Sequence, residues 1–245
     1  MGERPGTLTI GWLYGTKMNI YGDRGNVLAL AQRARWRGVE PEVREIGLRD
    51  AIPDDIDVFF FGGGQDQEQV AVSRDLQGEK GEQIKRAVEC GAALLSVCGG
   101  YQLLGLEYRP NDAERLPGIG LFDVHSTAGP ERFIGNVIVS TRWGKLVGFE
   151  NHSGLTYLGE NAERMGTVEV GHGNNGTDGT EGVVYKNAIG CYLHGALLPK
   201  NPVLTDWLIS AGMQRRGESA ALSSLDDGLE ERAHASAIAR AVATR

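Results

Sequence analysis

The sequence predicts an α/β fold: a mainly parallel sheet with helices on both faces and a strand-rich second half. Three observations carry this. Short apolar runs alternate with helix-length segments through the first half of the chain. Glycines cluster after the apolar runs, where a strand must turn into the next element. One apolar run ends directly in Cys98-Gly99-Gly100, and a helical stretch follows.

In chain order, Leu8 to Tyr14 is short and apolar, as a buried strand is. Gly25 to Trp36 places Val27, Leu28, Leu30, Ala31 and Ala34 at roughly helical spacing. Val39 to Ile46 alternates as a strand. Asp57 to Phe61 is a compact strand that ends in Gly62-Gly63-Gly64. Glu79 to Cys90 forms an amphipathic helix with Ile84, Ala87 and Val88 on one face. Ala92 to Val97 is a buried strand that runs into Cys98. Further strands are predicted at Leu121 to Ser126, Ile134 to Thr141, Val147 to Asn151, Thr167 to Val170, Val183 to Tyr185 and Ile189 to Leu193. His172 to Gly182 has Gly at every third position and suggests a mobile connecting loop. A helix starts at Asn201 with Pro202 in its first position. The Ala-rich stretch Leu225 to Thr244 suggests a surface helix. No repeat or linker divides the chain, so residues 1–245 are expected to form one domain.

Composition removes several function classes. The 245 residues can bury a core without disulfide or metal staples. The formal net charge of −7 argues against non-specific binding to nucleic acid. No apolar run is long enough to span a membrane, and the first residues lack the apolar core of a signal peptide. Cys90, Cys98 and Cys191 form no C-x-x-C pair and no disulfide scaffold, which suits a reducing, cytoplasmic compartment. No H-E-x-x-H motif or Cys/His cluster suggests a metal. No Gly-x-Gly-x-x-Gly follows the first strand, and Gly62-Gly63-Gly64 lacks the Lys-Ser/Thr of a phosphate loop.

The chemistry concentrates at Cys98. A strand, a Cys, two glycines and a helix form the layout of a nucleophile elbow, which pushes one side chain out at the carboxyl end of a strand. A helix start favours thiolate over thiol. A thiol nucleophile needs a base, and His194 also follows an apolar strand, in Leu193-His194-Gly195. Strand carboxyl ends line the ligand crevice of an open α/β sheet, so the two can meet. The backbone N–H of Gly99 is an oxyanion donor, and Gly63 in the triglycine loop offers a second. The other histidines have no comparable setting; His152, in a polar cluster at a strand end, is taken as structural or partner-facing.

Together the Cys98 elbow, the Gly62–Gly64 loop and His194 resemble the class I, triad-type glutamine amidotransferases. Ser96 to Gly105 resembles the CobB/CobQ branch, which amidates cobyrinic acid. Met18 to Asn26, Gly62 to Glu68, Gly148 to His152 and Tyr192 to Gly195 are similar to the GatD-type glutaminase subunits of lipid II isoglutaminyl synthases. The resemblance implies a flavodoxin-like fold. It implies that Cys98 attacks the glutamine side-chain amide, His194 relays protons and Arg132 binds glutamine. An Arg fork suits an α-carboxylate. It also implies a MurT-like Mur ligase partner that uses the ammonia to amidate the D-glutamate of lipid II at the inner face of the membrane. The chain itself is expected to carry no cofactor; ATP and any metal belong to the partner.

Two departures stand out. Many triad-type enzymes carry Glu two residues after the His, where this chain has Ala196. The spacing of Glu150, Asp178, Glu181 and Asp206 selects none as a substitute, and the resemblance implies that the partner supplies an Asp. Ser96 replaces a Gly common in such elbows. Readings that compete with the glutaminase subunit are an amidotransferase for another acceptor such as a corrinoid, a silent glutamine-sensing scaffold, and a Cys peptidase.

Overall fold

The computed structural model describes residues 6–111, 113–219 and 221–244. Residues 1–5, part of the stretch argued to lack a leader, lie outside them. Strands β1 (Thr7–Leu13), β3 (Val58–Phe61) and β4 (Ala93–Val97) come from the continuous apolar runs. Every side chain of β3 and β4 is buried, because helices cover both faces; that is why these strands do not alternate. β2 (Glu40–Ile46) lies at the sheet edge and exposes charged residues. β2, β1, β3, β4 and β11 (Ala188–Cys191) stand side by side and run parallel.

Helices α1 (Arg24–Trp36), α3 (Glu79–Glu89) and α5 (Pro202–Arg215) form where expected. A helix before α3, α2 (Asp66–Leu76), was not anticipated. Its composition is polar, and only Val72 and Leu76 mark its fully buried apolar face. Short α4 (Gly99–Leu104) follows Cys98.

The second half extends the sheet with antiparallel strands. β5 (Glu107–Arg109) and β6 (Leu116–Pro117) sit at the far edge. The two strands expected from Leu121 and Ile134 are one element, β7 (Val124–Thr141), broken in register between Ala128 and Phe133. β7 pairs with a long β8 (Gly144–Leu158). β9 (Glu163–Val170) and β10 (Thr180–Tyr185) link β7 to β11, so the order is β2-β1-β3-β4-β11-β10-β9-β7-β5-β6 among the described residues. The last helix, α6 (Gly228–Ala243), buries Ala241 against Ile138, Val147 and Val170. Asp227 and Asp206 both grip the Arg33 guanidinium, at 2.5 and 2.7 Å, and pin the entry of α6 to α1.

One expectation is corrected. The His172–Gly182 stretch is not a mobile loop but a hydrogen-bonded plug. Asn174 is fully buried; its Oδ1 accepts from Gly182 N at 2.9 Å and its Nδ2 donates to Thr180 Oγ1 at 3.1 Å. Asn175 Nδ2 donates to Thr156 O at 3.0 Å. Gly173, Gly176 and Gly179 have φ of +67°, +74° and +69°, so the repeated glycines supply left-handed turns rather than slack.

Within β10, Glu181 is fully buried, and its Oε1 accepts from Tyr192 N at 2.6 Å, two residues before His194. Its Oε2 has no partner among the described residues. Desolvation pushes its pKa from 4.5 up to about 8. Because the folded value is the higher one, the stability this group contributes is complete below about 4.5 and is lost as pH rises through about 8. Urea unfolding from pH 4.5 to 9 is expected to show wild type losing up to about 5 kcal/mol from this group. Glu181→Gln should flatten that loss; an unchanged slope would refute the assignment.

Candidate functional site

β4 ends at Cys98, whose backbone takes φ +53° and ψ −110°, a conformation L residues rarely adopt. Hydrogen bonds on both sides impose it: Cys98 N donates to Cys191 O at 2.9 Å, and Gln102 N donates to Cys98 O at 2.9 Å. Gly100 allows the turn to sit this low. A Cβ there would lie 2.6 Å from Phe61 O, and its N–H donates to Gly62 O at 3.1 Å. Ser96 does not disturb the elbow; its Oγ donates to Ile189 O at 3.1 Å within the core. The Gly99 N–H, at the first helical position, has no hydrogen-bond partner among the described residues.

His194 lies just past β11, the parallel neighbour of β4, so both side chains leave the same edge of the sheet. An isolated bridge fixes its backbone: His194 N donates to Phe149 O at 2.8 Å, and Phe149 N donates to His194 O at 3.2 Å. The ring is fully buried. Tyr21 meets it edge-on, with ring centroids 5.0 Å apart.

The chain itself places a carboxylate on this ring. Asp23, fully buried at the entry to α1, has Oδ1 3.2 Å from His194 Nδ1. Its Oδ2 accepts from Gly63 N at 2.8 Å. Spacing selected no carboxylate of this chain for His194, and the resemblance implied an Asp from the partner; the structure sets Asp23 of this chain at hydrogen-bond distance from the ring. The contact spans 171 positions, which is why spacing could not find it. The one available signal was the polar, Gly-containing block Met18 to Asn26, which follows β1 at the same sheet edge.

Gly63 also takes a different part from the one expected. Its amide is committed to Asp23 rather than open to a substrate oxygen. Its missing side chain leaves room for the imidazole, since a Cβ would stand 3.1 Å from His194 Cε1. On the other ring edge, His194 Nε2 has no hydrogen-bond partner among the described residues. Burial alone would lower the His194 pKa, but the Cys98 sulfur and the Asp23 carboxylate outweigh it and raise it to about 10. The arrangement favours a charged imidazolium beside the sulfur.

A cavity of about 260 Å³ opens at Cys98, with Gly64, Gln69, Gln102, Arg132 and His152 in its wall. Arg132 stands at the exposed rim, where Nη1 donates to Asn151 Oδ1 at 3.1 Å. His152, expected to be structural or partner-facing, is 2% exposed and part of this wall. Gln69, on the unanticipated α2, was not foreseen at all. Among the described residues no group of three His, Cys, Asp or Glu side chains could hold a metal ion. Chemically, the site offers a sulfur, an imidazole beside it and a cation at the exposed rim.

Residues 9–202 match the CobB/CobQ-like glutamine amidotransferase domain. The chain is 40% identical over 236 residues to the lipid II isoglutaminyl synthase (glutamine-hydrolyzing) subunit GatD of Staphylococcus aureus (strain N315), covering 96% of each protein. It is 36% identical to the same subunit of Streptococcus pneumoniae (strain ATCC BAA-255 / R6), covering 94% of this chain and 90% of that one. The structure of PurLQS from Thermotoga maritima shares the fold, with a TM-score of 0.56 at 15% identity over 88% of this chain and all of that one. With the domain match spanning most of its length, the chain belongs to the CobB/CobQ-like glutamine amidotransferases.

Proposed function

We propose that this chain is the glutaminase subunit of a lipid II isoglutaminyl synthase, working through Cys98 and His194. The observation that carries the proposal is the convergence of Cys98 and His194 at one sheet edge, beside a cavity that Cys98 and Arg132 both line. The near full-length likeness to GatD supports the choice of acceptor.

Arg132 takes the α-carboxylate of glutamine, and the side-chain amide reaches Cys98. The sulfur attacks the amide carbon, and the Gly99 N–H donates to the oxygen as it gains charge. His194 gives its proton to the departing nitrogen, so ammonia leaves and a glutamyl thioester remains. Water, deprotonated by His194, cleaves the thioester to glutamate and restores the thiol. Asp23 holds His194 in the tautomer and orientation this relay needs. The ammonia passes to a MurT-like ligase, which holds ATP and any metal and converts the D-glutamate of lipid II to D-isoglutamine. Among the described residues no helix is long and apolar enough to cross a membrane. The lipid-linked acceptor brings the cytoplasmic complex to the inner membrane face.

Two outcomes test this. Asp23→Asn is expected to lower kcat for ammonia release by about 10²- to 10⁴-fold with little change in KM. An unchanged kcat would assign the orienting acid to the partner. The complex, purified gently from its host, should release ammonia from glutamine, and Cys98→Ala should abolish this. The mutant complex should still amidate lipid II from added ammonium chloride. A wild-type complex with bound partner but no ammonia release would refute the glutaminase.

A further inference from the structure

The cavity wall contains an acceptor that the chemistry above leaves unused. His152 lies in β8, stacked on Tyr192 with ring centroids 3.7 Å apart and met edge-on by Phe133 at 5.6 Å. Its Nδ1 is 2.8 Å from Gly154 O. A carbonyl oxygen can only accept, so Nδ1 carries the ring proton and Nε2 presents a bare lone pair. That Nε2 is buried and has no partner among the described residues, in a side chain that lines the Cys98 cavity. Burial pushes the His152 pKa down to about 3, so the ring remains a neutral acceptor at physiological pH.

Two neighbours share this character. Gln102 Nε2 donates to Tyr192 Oη at 3.0 Å, and Gln69 Nε2 donates to Gly64 O at 3.1 Å. Each leaves its Oε1 buried and unpartnered among the described residues. A buried acceptor without a donor is costly, so this wall favours a ligand that brings N–H groups. Glutamine has two: the carboxamide and the α-ammonium. Position separates them. Gln69 lies over the elbow, where a Cβ on Gly99 would stand 2.8 Å from its Nε2. His152 is the cross-strand partner of Phe133, the residue after Arg132, and both His152 and Arg132 line the cavity, which sets His152 toward the α-carbon end.

We propose that His152 Nε2 accepts a hydrogen bond from the α-ammonium of glutamine, restricting the site to amino acids with a free amino group. The inference rests on the glutaminase reading and on Arg132 marking the carboxylate end.

The test uses the purified complex and two substrates, L-glutamine and glutaramate, the same amide acid without the α-amino group. Wild type should prefer glutamine by at least about tenfold in kcat/KM. His152→Asn retains an amide donor for Gly154 O and loses the acceptor; His152→Gln carries an amide oxygen near the Nε2 position. The Asn variant should raise KM for glutamine about 10- to 100-fold and leave kcat/KM for glutaramate within about twofold. The Gln variant should recover most of the loss. Equal losses on both substrates, no loss on glutamine, or a wild type that does not discriminate would each overturn the inference. Absence of ammonia from wild type with either substrate would instead overturn the glutaminase reading beneath it.

Discussion

One buried carboxylate ties the site together. Asp23 reaches the amide of Gly63 with one oxygen and the imidazole of His194 with the other. Through it the loop after β1, the loop after β3 and the turn after β11 share a single anchor. A charge this deeply buried requires both partners, since either one lost would leave part of the carboxylate uncompensated. The triglycine loop is shaped by the same need. A Cβ on Gly62 would lie 2.4 Å from Met18 O, and one on Gly64 would lie 2.2 Å from Met18 Sδ, so the β1 loop closes only over bare backbone.

The two halves of the sheet divide the work. The parallel half brings Cys98 and His194 to one edge, because neighbouring parallel strands end on the same side. The antiparallel half supplies the walls. β8 contributes Phe149, which fixes the His194 backbone, and Asn151 and His152, which line the cavity. Glu150, 1% exposed and two positions before His152 on the same strand, accepts from His172 N at 3.1 Å and Gly173 N at 3.2 Å. It thereby seats the glycine-rich plug behind the cavity wall, where Tyr101 Oη donates to Asn174 at 3.3 Å. A segment with glycine at every third position is rigid here because buried asparagines satisfy its backbone.

The parallel half was legible in the sequence because strands covered on both faces must be continuous apolar runs. Cys98 and His194 were legible for a related reason: each stands where such a run stops. The misses have physical causes too. α2 hides behind its polar residues, and β7 runs through Gly129 and Pro130, which read as a break between two strands. Asp23 was invisible to spacing, because only tertiary structure brings the start of α1 against the turn after β11. Arg132 came from family likeness alone; locally it is an exposed cation beside Asn151. Gly63 was singled out for the right loop but for a donor role that its bond to Asp23 forecloses.

Asp23 and Cys98 together hold His194 as an imidazolium, and a titration of that ring reads this out. Histidine side-chain nitrogens would be labelled with ¹⁵N, the His194 signals assigned by substitution, and their shifts followed from pH 5 to 11 with and without Asp23→Asn. His194 should stay protonated through neutrality and titrate near 10 in wild type, with a lower value in Asp23→Asn. An imidazole that titrates near 6.5 in both proteins would contradict it.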